Sequence, residues 1–183
     1  MTQKATKSLA VCAMMLAVAT LFSLIRYQLP FGGEITFFSM VPLLYVAFHY
    51  TLGWASLTAL SFSLLQMAIA FYPPPAQSFP AFAGVVLLDY VLAYGMMSLA
   101  GIFSRPLNGM KKIMAGSAIA FLGRFLCHFV SGILIWSSNA PEGQPVALYS
   151  LLYNGAFVLG EWILSTAALL ALEKLAPNQK ILP

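Results

Sequence analysis

The chain has 183 residues, of which 61% are apolar and only 8% charged, and its formal net charge is +4. An ordinary soluble domain carries about 25% charged residues, so this composition excludes a water-soluble fold and describes an integral membrane protein. The length suits one compact domain over residues 1–183, and the positive charge calls for no nucleic-acid partner, because its placement follows membrane topology.

Lys4 and Lys7 precede an apolar run over 8–25. The run has the basic start of a signal peptide, yet it is long enough to span and no small-x-small cleavage site follows it. It is taken as the first helix. Within it Ala13 and Ala17 form a small-xxx-small pair, which lets another helix approach closely, either inside the bundle or on a docked partner. A loop follows from Arg26 to Glu34, closed by Pro30 and Gly32-Gly33. The second span, 35–50, is short for a bilayer that asks for about 20 residues, and it contains Pro42. The third span, 52–71, ends at Tyr72-Pro-Pro-Pro75, which cannot continue a helix. The remaining spans are 81–103, 113–136 and 146–172.

Charge decides the helix count. With six spans, Lys4, Lys7, Arg105, Lys111, Lys112, Lys174 and Lys180 share one side, and Arg26 alone falls in a loop on the other. If the second segment failed to cross, the basic loop at 105–112 would oppose Lys4 and Lys7. The positive-inside rule prefers six crossings. The expected fold is therefore all-α, a polytopic bundle of six transmembrane helices with both termini cytoplasmic and the loops at 26–34, 72–80 and 137–145 facing outward. Cys12 and Cys127 lie inside apolar spans and read as small core residues rather than a disulfide or a metal pair.

Polar groups inside such spans are the informative exceptions. Arg124, His128, Gly132 and Trp136 are four residues apart. Four helical residues turn about 400°, so these positions drift through roughly 120° while climbing about 18 Å, and share one face. Asp89-Tyr90 on the fourth helix and Tyr149 and Asn154 on the sixth add a second polar and aromatic set. Arg124 has two intramembrane carboxylates, Asp89 and Glu161, as possible ion-pair partners. A carboxylate can accept from an amino group or balance a cation, and aromatic faces attract cations by about 2 kcal/mol when desolvated. An amide donates and accepts in one plane, as a heterocycle edge requires. These groups suit a flat, nitrogen-rich, cationic guest. Catalytic patterns are missing: there is no phosphate-binding G-x4-G-K-[ST] loop, no H-E-x-x-H, and Ser131 with His128 on one helix makes no credible dyad. The chain reads as a non-enzyme that needs no metal or cofactor.

Leu88-Asp89-Tyr90 with Gly101-Ile-Phe103, Arg124-Phe-Leu-Cys-His128-Phe-Val-Ser-Gly132 with Trp136, Ala140-Pro-Glu-Gly143, and Tyr149-Ser-Leu-Leu-Tyr153-Asn154-Gly155 together resemble a known family. It is the thiamine-specific substrate-binding (S) components of energy-coupling factor transporters, and the resemblance covers nearly the whole chain. It implies a six-helix protein of a prokaryotic cell membrane that captures thiamine from outside. It also implies partners, namely a separate transmembrane coupling subunit and two ATPase subunits. By the same resemblance Asp89 binds the aminopyrimidine amino group with Tyr90 in support. His128 and Trp136 pack on the ligand rings, Tyr149 and Asn154 make polar contacts, and Arg124 lies near the hydroxyethyl or phosphate end; Gly132, the gap without a side chain on the same face, counts with them as a substrate-binding position. Some relatives carry Glu at the Asp89 position. An aromatic from the first outer loop has no clear counterpart, Phe31 being nearest. Ala13 and Ala17 match the face on which such components dock their coupling subunit. The alternative from residues alone is a self-sufficient secondary transporter for a heterocyclic organic cation, driven through Asp89, Glu161 and Arg124.

Overall fold

A computed structural model describes residues 3–30 and 32–175. Six helices, one hairpin and a 3₁₀ turn at Ser137–Asn139 make up the regular structure of the described residues: α1 (Gln3–Ser23), β1 (Arg26–Gln28), β2 (Glu34–Thr36), α2 (Met40–His49), α3 (Leu52–Ala70), α4 (Phe79–Phe103), α5 (Gly109–Leu134) and α6 (Val146–Leu175). Five of them, all except α2, are long and apolar enough to cross a bilayer. The chain is a multi-pass membrane protein.

Helix ends follow from local chemistry. The Ser23 hydroxyl turns back to the Thr20 carbonyl, and Arg26 Nε donates to the Ser23 carbonyl at 2.8 Å, closing α1 with a cation over its carbonyl end. The α3 helix stops at Ala70 because Phe71 is extended and three prolines follow Tyr72. On α4, Ser78 accepts from the Ala81 N–H, and Pro80 occupies the first turn, where no N–H is missed.

The first loop is ordered rather than irregular. Its two short strands pair antiparallel with Arg26 opposite Thr36 and Gln28 opposite Glu34. Gly32 and Gly33 make the turn at φ +90° and +80°, a region that costs L side chains but not glycine. This hairpin takes up the beginning of the expected second span. After it Phe38 adopts φ +61°, and α2 starts only at Met40. Pro42 then falls in the first turn of α2, where a helix has no use for its N–H, so it interrupts nothing.

Ten residues span about 15 Å, half of a hydrocarbon core of about 30 Å. The shortness of α2 is tolerated because it is enclosed: Met40, Leu43, Leu44, Val46, Ala47 and Phe48 are all buried, and α2 packs on α1, α3, α4 and α6. The α5–α6 pair forms the most extensive contact in the bundle. Residues that follow α1, α3 and α5 converge on one cavity. Lys4, Lys7, Arg105, Lys111 and Lys174 therefore gather at the opposite end, the alternation expected from the charges.

Candidate functional site

A cavity of about 360 Å³ opens where the hairpin meets α3, α4, α5 and α6. Its acidic pole is Asp89. The backbone around this residue, Val86–Leu92, is a π-helix, and Met96–Leu99 tightens into a 3₁₀ turn. Such wide turns inside a longer helix re-aim side chains and occur at functional sites. Three donors from α5 and the turn after it meet the Asp89 carboxylate. His128 Nδ1 lies 2.9 Å from Oδ1, and Ser131 Oγ (2.6 Å) and Trp136 Nε1 (3.0 Å) both donate to Oδ2. Trp136 is delivered by the end of α5, where the Ser131 carbonyl accepts the N–H of Ile135 and of Trp136.

A second polar centre lies across the cavity. Arg124 Nη1 is paired with Glu161 Oε2 at 2.5 Å, and the guanidinium sits over the Tyr94 ring at 4.9 Å. Of the two carboxylates open to Arg124 from sequence, Glu161 is the one it takes. The other Glu161 oxygen accepts the Thr36 N–H at 2.9 Å and also bonds the Thr36 hydroxyl. Both charges are almost fully buried, with 4% and 1% of their surface exposed. Removing either partner alone from such a pair is costly, because it strands a charge in a low-dielectric interior. The pair also fastens β2 to α6 at membrane depth. Arg124 Nε and His128 Nε2 are buried without a partner among the described residues.

The rim is made by the hairpin and the chain after α3. Arg26 pairs with Glu34 at 3.2 Å, and Tyr72 donates to the other Glu34 oxygen at 3.0 Å. Partial desolvation, and then the bond to Glu34, push the Tyr72 hydroxyl above its usual pKa, so it remains a donor at neutral pH.

The sequence-predicted residues divide. Asp89, Tyr90, Arg124, His128, Trp136 and Asn154 all border the cavity. Tyr90 does so without touching the Asp89 carboxylate: its hydroxyl donates to the Ala70 carbonyl and accepts from the Tyr72 N–H, which ties α4 to the end of α3. Asn154 spends its Nδ2 inside the protein, on the His128 carbonyl, the Ser150 carbonyl and the Ser150 hydroxyl. That leaves its oxygen as the group to face a guest. Gly132 and Tyr149 do not border the cavity. A Cβ at Gly132 would meet Ser150 Oγ at 2.2 Å, so this glycine permits α5 and α6 to touch rather than making room for a ligand. Tyr149 stands one turn away, its ring 5.6 Å from that of Tyr153, and Tyr153 is the one on the cavity wall. Phe31 lies outside the described residues.

Several lining groups escaped the sequence reading: Tyr153 and Phe157 on α6, Tyr94 on α4, and the rim residues Glu34 and Tyr72; Glu161 was read as an ion-pair partner and not as part of the cavity wall. Tyr149, Tyr153, Phe157 and Glu161 recur every four residues, the same one-face signal that singled out Arg124, His128 and Trp136 on α5. Tyr90 and Tyr94 repeat it on α4. Ser131 and Thr36 carry no such signal. Serine and threonine are abundant in apolar helices and short strands, and only a partner reached through the fold distinguishes these two.

Comparison with known proteins bears on what the cavity holds. A family model described as thiamine transporter protein matches residues 9–181. The thiamine transporter ThiT of Bacillus subtilis strain 168 is 28% identical over 181 residues, covering 91% of this chain and 90% of that one. ThiT of Lacticaseibacillus paracasei is 29% identical over 102 residues, about half of each chain: 50% of this one and 51% of the other. The solved structure of ThiT from Listeria monocytogenes superposes with a TM-score of 0.80 at 26% identity, covering 99% of this chain and 100% of that one.

Proposed function

The chain belongs to the thiamine transporter family, and from that premise we propose that it is the capturing subunit of an energy-coupling factor transporter. In this reading it binds thiamine from the outer side in the cavity between the hairpin and α4–α6. It then delivers the vitamin through a separate transmembrane coupling subunit powered by two ATPase subunits. Family membership makes its activity thiamine transport rather than catalysis. The mechanistic detail rests on one observation above all: an intramembrane carboxylate, Asp89, held by three donors in a cavity whose wall also carries the rings of Tyr94, His128, Trp136, Tyr153 and Phe157.

Thiamine has the chemistry this wall suits, namely an aminopyrimidine, a cationic thiazolium and a hydroxyethyl arm. The amino group donates to the Asp89 carboxylate, which has acceptor capacity beyond its three internal donors. Trp136, His128, Tyr153 and Phe157 supply faces for the two rings and the cation. The hydroxyethyl or phosphate end points toward Arg124, whose Nε has no acceptor among the described residues. A volume of about 360 Å³ falls in the usual range of about 300–1,000 Å³ for small-molecule sites. Both termini and the basic end are cytoplasmic in this reading. The exposed Ala13 and Ala17 on α1 form the surface for the coupling subunit. Arg124 and Glu161 neutralise each other and clamp the hairpin, which favours capture over ion-coupled transport by this chain alone.

The test is a titration of the detergent-purified protein with thiamine, its phosphates and riboflavin, followed by uptake into proteoliposomes. Saturable thiamine binding without response to riboflavin is expected, with accumulation only when the coupling proteins and ATP are added. Failure to bind thiamine overturns the capture reading. Accumulation by the chain alone replaces it with secondary transport.

A further inference from the structure

The sequence offers Ser131 only as half of a dyad that makes no credible catalyst, and the residue does not border the cavity, yet it holds the one carboxylate on which recognition turns. Its side chain is fully buried, 0% exposed, so it cannot contact a guest. Its hydroxyl donates to Asp89 Oδ2 at 2.6 Å, the shortest of the three bonds to that group, and Trp136 Nε1 takes the same oxygen at 3.0 Å. Its carbonyl meanwhile accepts the N–H groups of Ile135 at 2.8 Å and Trp136 at 3.3 Å, which ends α5 and turns Trp136 toward Asp89.

We infer that Ser131 is a positioning residue for ligand specificity: it saturates Oδ2 of Asp89 and thereby presents Oδ1 to the amino group of the ligand. A carboxylate offers about four lone-pair directions, two on each oxygen. Ser131 and Trp136 fill both on Oδ2, whereas His128 fills one on Oδ1. The single vacancy therefore lies on Oδ1, the oxygen that His128 Nδ1 already bonds. Because the three neighbours are donors, the vacancy accepts and does not donate. A ligand with an amino group there completes the set, whereas one with a carbonyl oxygen sets acceptor against acceptor. Sites built to bond a polar group discriminate against its replacement, since the mismatched form leaves buried groups unpaired. Without the Ser131 hydroxyl the carboxylate loses its shortest tether and is held only by His128 and Trp136, and Oδ2 gains a vacancy of its own.

The inference rests on the thiamine-capture reading, and the experiment separates the two. Thiamine and its analogue with oxygen in place of the pyrimidine amino group are titrated against wild type, Ser131→Ala, Asp89→Asn and the double variant. Wild type that fails to bind thiamine ends the functional reading and this inference with it, before any variant is compared. With wild-type binding established, Ser131→Ala should weaken thiamine about ten-fold, roughly one charge-assisted hydrogen bond. It should weaken the oxo analogue less than two-fold, so the preference for the amino ligand shrinks. In the Asp89→Asn background the same change should cost less than two-fold. Ser131→Cys keeps the volume and loses the strong donor, so it should behave like Ser131→Ala even if the smaller residue loosens the helix contact. Ser131→Thr, which keeps the hydroxyl, should restore most of the preference. Equal loss for both ligands, an undiminished loss in the Asp89→Asn background, or wild-type affinity in both Ser131→Ala and Ser131→Cys overturns the assignment.

Discussion

Asp89 stands where sequence and structure agree most closely, and its surroundings sharpen what its removal should do. Hydrogen bonds to a charged group contribute about 1.5–3 kcal/mol, or roughly 10- to 150-fold in affinity. Asp89→Asn should weaken thiamine binding within that range while the solubilised protein stays monodisperse, as a titration and size-exclusion run would reveal. Wild-type affinity in that variant removes Asp89 from the site. Trp136 is more than a ring. Its Nε1–H is a donor to Asp89 as well as a stacking face, so Trp136→Phe keeps the π-surface but frees one lone pair of Oδ2. We expect a partial loss for Trp136→Phe and a larger one for Trp136→Ala. Equal, unchanged binding in both would make Trp136 an interfacial belt residue. His128 and Asn154 are coupled through the backbone, since Asn154 Nδ2 bonds the His128 carbonyl, so their substitutions should not be additive.

Two devices operate at the level of elements. The first is the wide π turn at Val86–Leu92, which sets the direction of Asp89. Deleting Leu87, a half-exposed residue of that turn, should let the helix regularise and rotate Asp89 by up to about 100° away from its donors. Binding should vanish while helix content measured by circular dichroism is kept; retained binding would mean the wide turn has no part in aiming the carboxylate. The second device is the clamp of Glu161 on Thr36 and Arg124, which joins hairpin, α5 and α6. Arg124→Met leaves a buried carboxylate without its cation, a change that costs about 3–5 kcal/mol in comparable pairs. The double variant Arg124→Met with Glu161→Leu removes both charges and should melt at a higher temperature than Arg124→Met alone, with no ligand present. The opposite order would mean that Glu161 is held mainly by Thr36, not by the ion pair.

Across the whole molecule, the cavity and the α1 face are separate. The ligand-facing groups come from the hairpin and from α3–α6, whereas Ala13 and Ala17 are exposed on α1, the helix with the least buried apolar window. Damage to one should not reach the other. Ala13→Trp or Ala17→Trp should leave thiamine binding near wild type and abolish ATP-dependent uptake in cells that contain the coupling proteins. Loss of binding together with uptake would assign the pair to internal packing. Unchanged uptake would move the docking surface elsewhere.

Composition and periodicity alone determined that the chain crosses a membrane, where five of the six helices run to within a few residues, and which face of α5 lines the cavity. Those features are local. A run of apolar residues, a proline stop or a four-residue spacing has its physical consequence within its own segment. What only the tertiary structure decided is pairwise. Whether Arg124 takes Asp89 or Glu161, whether Gly132 makes room for a ligand or for α6, and whether Tyr149 or Tyr153 faces the cavity depend on how helices rotate against one another. The second span was misjudged at its start for the same reason. An apolar stretch beginning at Ile35 reads as helix by itself, but Thr36 N–H is claimed by Glu161, 125 residues further along the chain, and that bond holds the segment as a strand. A carboxylate buried in hydrocarbon must find its donors wherever the fold supplies them. That requirement, invisible in any single segment, built the hairpin over the cavity.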